Sequence, residues 1–116
     1  FVSGPAFEAR CGQPASDIAD SDEVWDDVAQ IVATLCHNLA VTVVPERIML
    51  GGSVAINRPH LLEVIRAKLN ASLAGYAHGA RIALMPEFLV TAKLGEDAGP
   101  AGAIRLAQLA LATSAP

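Results

Sequence analysis

The chain has 116 residues, a net charge of −4, 53% hydrophobic residues and only 4% aromatic ones. That length suffices for one small domain with its own core. The eight lysines and arginines are scattered rather than clustered, which argues against a nucleic-acid footprint, and no apolar run approaches the roughly 20 residues of a membrane span.

The chain opens with "FVSGPAFEARCG" and carries no initiator methionine, so a piece of a longer protein is expected, with part of its chemistry elsewhere. Pro5 suits the first position of a helix, where its missing N–H costs nothing. Glu8 and Arg10 are two apart and do not face each other on a helix. In "PASDIADSDEVWDDV", Ser21 or Asp22 can cap a helix, and Asp22, Glu23, Asp26 and Asp27 suit its positive end. Val24, Val28, Ile31, Val32, Leu35 and Leu39 then recur at helical spacing, which predicts a helix over 22–41. Adjacent aspartates point to different faces, so Asp26 and Asp27 read as a solvated face and not as a catalytic pair.

Cys11 and Cys36 cannot by themselves make a four-ligand metal site, and no charged stretch followed by an apolar core marks a secretory leader. Reduced, packed thiols in a cytoplasmic protein are therefore expected. His37 reads as a packing residue, His60 as an exposed first-turn residue and His78 as a loop residue. Trp25 and Tyr76 read as core or interface anchors.

After Pro45, "RIMLGG" predicts a short buried strand stopped by glycine. Asn57, Arg58 and Pro59 open the next helix, lined by Leu61, Leu62, Ile65, Leu69 and Leu73 and ending near Gly75. "ARIALMP" reads as a second strand, and "AKLGEDAGPAGAIRLAQLALA" as a glycine-bearing loop feeding a helix over 100–112. The order helix, strand, helix, strand, helix predicts a layered α/β lobe. Two strands cannot form a parallel sheet covered on both faces, so further strands are expected from outside this segment.

Gly51 and Gly52 stand where a strand hands over to a helix. Two readings fit: a tight structural turn, or a backbone that a ligand approaches closely at the carboxyl end of a strand. On this stretch alone the turn is favoured, because neither the G-x-G-x-x-G spacing nor the Lys-Ser/Thr of a P-loop is present.

Three longer blocks bear on that choice. "SGPAFEARCGQPA", "ERIMLGGSVAINRPHLLEVIRAKL" and "LGEDAGPAGAIRLA" resemble, in order, three successive segments of the ROK family of sugar kinases, most closely its bacterial fructokinase branch. The resemblance implies an α/β fold, here part of the C-terminal lobe of an actin-like ATPase (ribonuclease H-like) fold, with residues 1–116 forming a nucleotide-binding half-lobe. "LGGSVA" resembles the family's adenosine motif, which implies that Gly51, Gly52, Ser53, Val54 and Ala55 wrap adenosine and the adjoining phosphates through backbone contacts. Ser53 replaces a third glycine and would be strained if that position required positive φ. The "SGPA" turn implies an ATP contact for Pro5, alongside its plain role at a helix start. In the last block, Gly99 and Gly102 would permit close packing near the cleft floor, and Asp97 reads first as a cap of the final helix. Pro100 stands where the family has leucine.

The family's phosphate loop, catalytic aspartate, His/Cys zinc site and sugar-binding glutamate have no counterparts in these blocks. The resemblance thus implies magnesium-ATP-dependent phosphorylation of a hexose, most closely fructose, by a longer cytoplasmic homodimer, with zinc held by residues upstream of Phe1 and no catalytic or metal residue in this chain. By itself the segment is expected to be inactive. The alternative is the ligand-binding lobe of a sugar-responsive ROK repressor, a branch that often loses the glycine-rich motif.

Overall fold

The computed structural model describes residues 4–74 and 87–114. Its elements are α1 (Gly4–Cys11), α2 (Val24–Thr42), β1 (Ile48–Leu50), α3 (Ser53–Asn57), α4 (Pro59–Leu73), β2 (Leu89–Thr91) and α5 (Ala98–Ser114), with short 3₁₀ turns at Ala15–Asp17 and Gly95–Asp97. Among the described residues, two strands are interleaved with α-helices, two before β1, two between β1 and β2 and one after β2, which is a mixed α/β arrangement.

β1 and β2 run parallel, with Ile48 opposite Leu89, Met49 opposite Val90 and Leu50 opposite Thr91. Parallel neighbours need a crossover, and the chain between them contains α3 and α4. The ladder extends at both ends, since Ile48 N–H donates to the Phe88 carbonyl (2.6 Å) and Ala92 N–H to that of Leu50 (2.9 Å). "ARIALMP" lies outside the described residues, whereas the second strand seen here falls three residues later, in "FLVT".

Helix α2 starts close to its expected place. Asp22 Oδ1 accepts the Val24 N–H at 3.0 Å, satisfying one of the donors that a helix start leaves open. The buried face, however, is rotated from the expected stripe. Trp25, Val28, Ala29, Ala33, Cys36 and Ala40 are buried, while Ile31 and Leu35 are 37% and 58% exposed. Small residues face α4 because they let the two backbones approach, and the larger aliphatic residues flank the contact. On α4 the expected period holds: Leu61, Ile65, Leu69 and Leu73 recur every four residues and are all buried. Pro59 opens α4 as its composition requires, and Ala74 takes the left-handed conformation at its end (φ 47°). The expected stop at Gly75 lies outside the described residues.

Phe88 and Leu89 complete this core beside the sheet, and Phe7 and Trp25 extend it towards α1. Arg66 ties α4 to β2, donating from Nη2 to the Leu89 carbonyl at 2.6 Å. Asp26 pairs with Lys68 of α4 (2.9 Å) and Asp27 with Arg10 of α1 (2.7 Å), so the adjacent acids serve different elements, as their opposed directions require. His37 is half-buried and shares a hydrogen bond with Ser72 (Nδ1 to Oγ, 3.0 Å), and His60 is exposed. Tyr76 and His78 lie outside the described residues.

Helix α5 differs from the others. Leucines 106, 109 and 111 and Ile104 are exposed, and Ala101 is its one partly buried residue among those described. A Cβ built on Gly99 or Gly102 meets nothing within 4 Å, so the close packing expected at these glycines does not occur among the described residues. Asp97 ends the 3₁₀ turn directly before α5. No described helix is long and apolar enough to cross a membrane.

Leu69→Ala is expected to destabilise the protein by about 2–5 kcal/mol, and Glu87→Ala, at an exposed ion pair, by less than about 0.5 kcal/mol. Urea unfolding followed by the fluorescence of the chain's one tryptophan checks this. Similar losses for the two variants would contradict the α2–α4 contact as the centre of stability. Burial also pushes the Cys36 thiol up, which lowers its thiolate fraction, so a thiol reagent at pH 8 should label the half-buried Cys11 before Cys36.

Candidate functional site

β1 ends at Leu50, and the chain leaves it through Gly51 and Gly52. Gly52 adopts φ 96°, ψ 152°, a region essentially closed to side-chain-bearing residues. Gly51 has no such backbone demand, and a Cβ at either glycine would point into open space. The two glycines thus differ: the turn requires Gly52, whereas neither the backbone nor the packing requires glycine at Gly51. Ser53 does not have positive φ and opens α3, so the strain considered for it is not present. α3 itself was not expected, because five residues are too few to show a helical period.

Beyond the glycines, α3 forms one wall of a cleft of about 630 Å³. Ser53, Val54 and Asn57 line that wall, with Arg58 at its base. The facing wall is built by Gly4, Pro5 and Glu8 of α1 and by Pro14, Ala15 and Ser16 of the following loop. Residues almost fifty positions apart therefore line one space, Pro5 on one wall and Ser53 and Val54 on the other. Gly51, Gly52 and Ala55 instead line a second hollow of about 490 Å³, walled by Val28, Ile31, Val32, Leu35, Leu50 and Ile65. The two spaces share Gly4, Ser53 and Val54, so the glycine turn lies between a mixed polar cleft and an apolar hollow.

The cleft walls are held by side chains at their base. Arg58 Nη2 donates to the carbonyls of Ala15 (2.7 Å) and Ile18 (3.0 Å), and its guanidinium pairs with Asp20. Behind it, Trp25 stacks on Phe7 of α1 with ring centroids 5.0 Å apart. On the outer side, Asn57 approaches Glu96 at 3.4 Å, and Gly95 (φ 54°) brings the second 3₁₀ turn against Ile56. Among the described residues, no group of three His, Cys, Asp or Glu side chains is placed to hold a metal ion.

Of the residues expected from the sequence, Pro5, Ser53 and Val54 line the cleft and Gly51, Gly52 and Ala55 the hollow beside it, whereas Glu8, Ser16, Asn57 and Arg58 of the cleft were not expected as site residues. Asn57 and Arg58 follow the glycine motif directly, and that adjacency was the available signal. Glu8 and Ser16 carry no pattern that marks them.

A small α/β unit with a cleft beside a strand–Gly-Gly–helix turn is the kind of site that accepts small phosphorylated ligands. The ROK family model matches residues 1–110, and the chain belongs to the ROK family. It is 38% identical over 111 residues to the fructokinase of Pediococcus pentosaceus, covering 96% of this chain and 37% of that protein. It is 31% identical over 112 residues to the fructokinase of Streptococcus mutans, covering 97% and 36%, and 32% identical over 75 residues to that of Lactococcus lactis, covering 65% and 26%. The chain spans little more than a third of the length of the fullest of these matches, 37%. No solved structure matches it.

Gly52→Ala is expected to lower stability by about 1–3 kcal/mol through backbone strain, while Gly51→Ala leaves it within about 0.5 kcal/mol. Comparing the urea midpoints of the two variants decides whether the turn depends on one glycine or on both.

Proposed function

We propose that this chain is the C-terminal nucleotide-binding half-lobe of an ATP-dependent sugar kinase of the actin-like ATPase fold, and that the full-length protein phosphorylates a hexose, fructose by preference. The observation that carries this reading is that Pro5 lines the same cleft as Ser53 and Val54. The two sequence blocks that resemble the family's nucleotide contacts are far apart in the chain and line one cleft. The relatives named fructokinase support the choice of sugar. The exposed apolar residues of α5 and the two short strands support a larger protein that covers them.

The residues present fit an adenine nucleotide. The cleft volume lies in the range of small-molecule sites, and open space beside Gly51 and Gly52 leaves their backbone approachable from the adjoining hollow. Pro5 and Val54 would flank the adenosine, and the 51–55 backbone would follow it towards the phosphates. Magnesium, when bound with ATP, neutralises charge on the transferring phosphoryl group. Its ligands, the zinc ligands and the general base are assigned to other segments of the full-length protein. What this chain contributes is position: it holds the nucleotide so that closure of the second lobe over the sugar can exclude water.

The test is Gly51→Val in the full-length protein. A Cβ there meets nothing within 4 Å, and Gly51 lines the hollow next to the cleft, along which the 51–55 backbone is proposed to follow the nucleotide. The KM for ATP should rise about tenfold or more, with the hexose KM within about twofold and the unfolding midpoint unchanged. Unchanged ATP affinity would remove residues 51–55 from the site. A full-length protein that bound DNA, released it on adding sugar and turned over no ATP would instead be a repressor.

A further inference from the structure

We infer that Arg58 is a positioning residue that sets the width of this cleft and thereby its nucleotide affinity, an inference that rests on the nucleotide reading above. Arg58 stands at the junction of α3 and α4 with its side chain only 11% exposed. A buried guanidinium needs acceptors for its fork of N–H groups, and it finds them on the opposite wall. Nη2 bridges the Ala15 and Ile18 carbonyls, at 2.7 and 3.0 Å, and Nη1 faces the carboxylate of Asp20. The cation also lies over the Trp25 ring, 3.9 Å from its centroid.

Trp25 passes the constraint on. Its Nε1 donates to the Ala19 carbonyl at 2.8 Å, so a third carbonyl of the same loop is tied down. Its ring stacks on Phe7, which is buried in α1, the helix that carries Pro5. One side chain on the Ser53–Val54 wall therefore anchors both parts of the facing wall, the loop directly and α1 through Trp25. Arg58 lines the base of the cleft, but its Nη hydrogen bonds run to the loop, so the action inferred for it on a ligand runs through wall separation. Lysine keeps the charge but is a single point donor, and it cannot bridge two carbonyls and a carboxylate while stacking on an indole.

The experiment compares Arg58→Lys with the exposed control Arg47→Met in the full-length protein. Calorimetric ATP binding, KM for ATP, KM for the hexose and the unfolding midpoint are measured for each. Arg58→Lys should weaken ATP binding and raise its KM about tenfold, with hexose KM and kcat at saturating ATP within about twofold, and the control should match wild type. Unchanged ATP affinity in Arg58→Lys, or a parallel rise of both KM values with a falling midpoint, would overturn the inference, the second by showing a general structural role. If Arg58→Lys does not fold, Asp20→Asn decides. Asp20 is mostly exposed, so its loss should spare the fold, and a selective rise in the KM for ATP of about twofold or more would support the inference while no change would overturn it. Gly51→Val separates the two ideas. Lost ATP affinity in Gly51→Val with none lost in Arg58→Lys overturns Arg58 alone, and a wild-type protein that binds no ATP ends both.

Discussion

The close contact of α2 with α4 is the constraint on which the rest depends. It is made by Ala29, Ala33, Cys36 and Ala40 on one helix and by Leu61, Ile65, Leu69 and Leu73 on the other. Leucine and isoleucine side chains supply most of the area removed from water, and alanine lets the partner backbone come near. Because β1 hands the chain to α4 through α3, and Arg66 ties α4 to β2, the position of α4 also sets the sheet. The end of β1, and with it the glycine turn, is placed by this helix pair.

From that base the site is assembled by two kinds of interaction. Apolar packing positions α3 and α1, which contribute Ser53, Val54 and Asn57 and Gly4, Pro5 and Glu8 to the cleft. Directed polar contacts then hold the loop between α1 and α2, which has little apolar surface of its own: Ile18 is its one fully buried residue, and three of its carbonyls accept from Arg58 and Trp25. Neither kind suffices alone. Packing gives no register to a loop of polar residues, and a guanidinium is held in a protein interior only when its donors are met.

Much of this was legible in the sequence, for reasons that differ by element. The long helices announce themselves through period and capping, as with Asp22 before α2 and Pro59 at the start of α4. The face that α2 buries was not legible, because hydrophobicity ranks Ile31 and Leu35 above Ala29 and Ala33 while close helix approach ranks them the other way. α3 escaped because five residues show no period, and β2 because a strand of three residues leaves little pattern. Pro5 and residues 51–55 were expected through likeness to a family, and of these Pro5, Ser53 and Val54 line one cleft. Arg58 had no such route. A cation that pairs with backbone carbonyls forty residues earlier leaves no mark on those residues' identities.

The segment from Pro14 to Asp20, rich in small and polar residues, has the composition of a freely fluctuating loop. Its tie to Arg58 changes the character of its motion. It cannot open as an independent flap, because displacement breaks carbonyl bonds at Ala15 and Ile18 together and uncovers a cation at the start of α4. Separation of the two walls therefore carries the cost of those bonds, and the wall spacing is tied to the start of the helix that packs on α2.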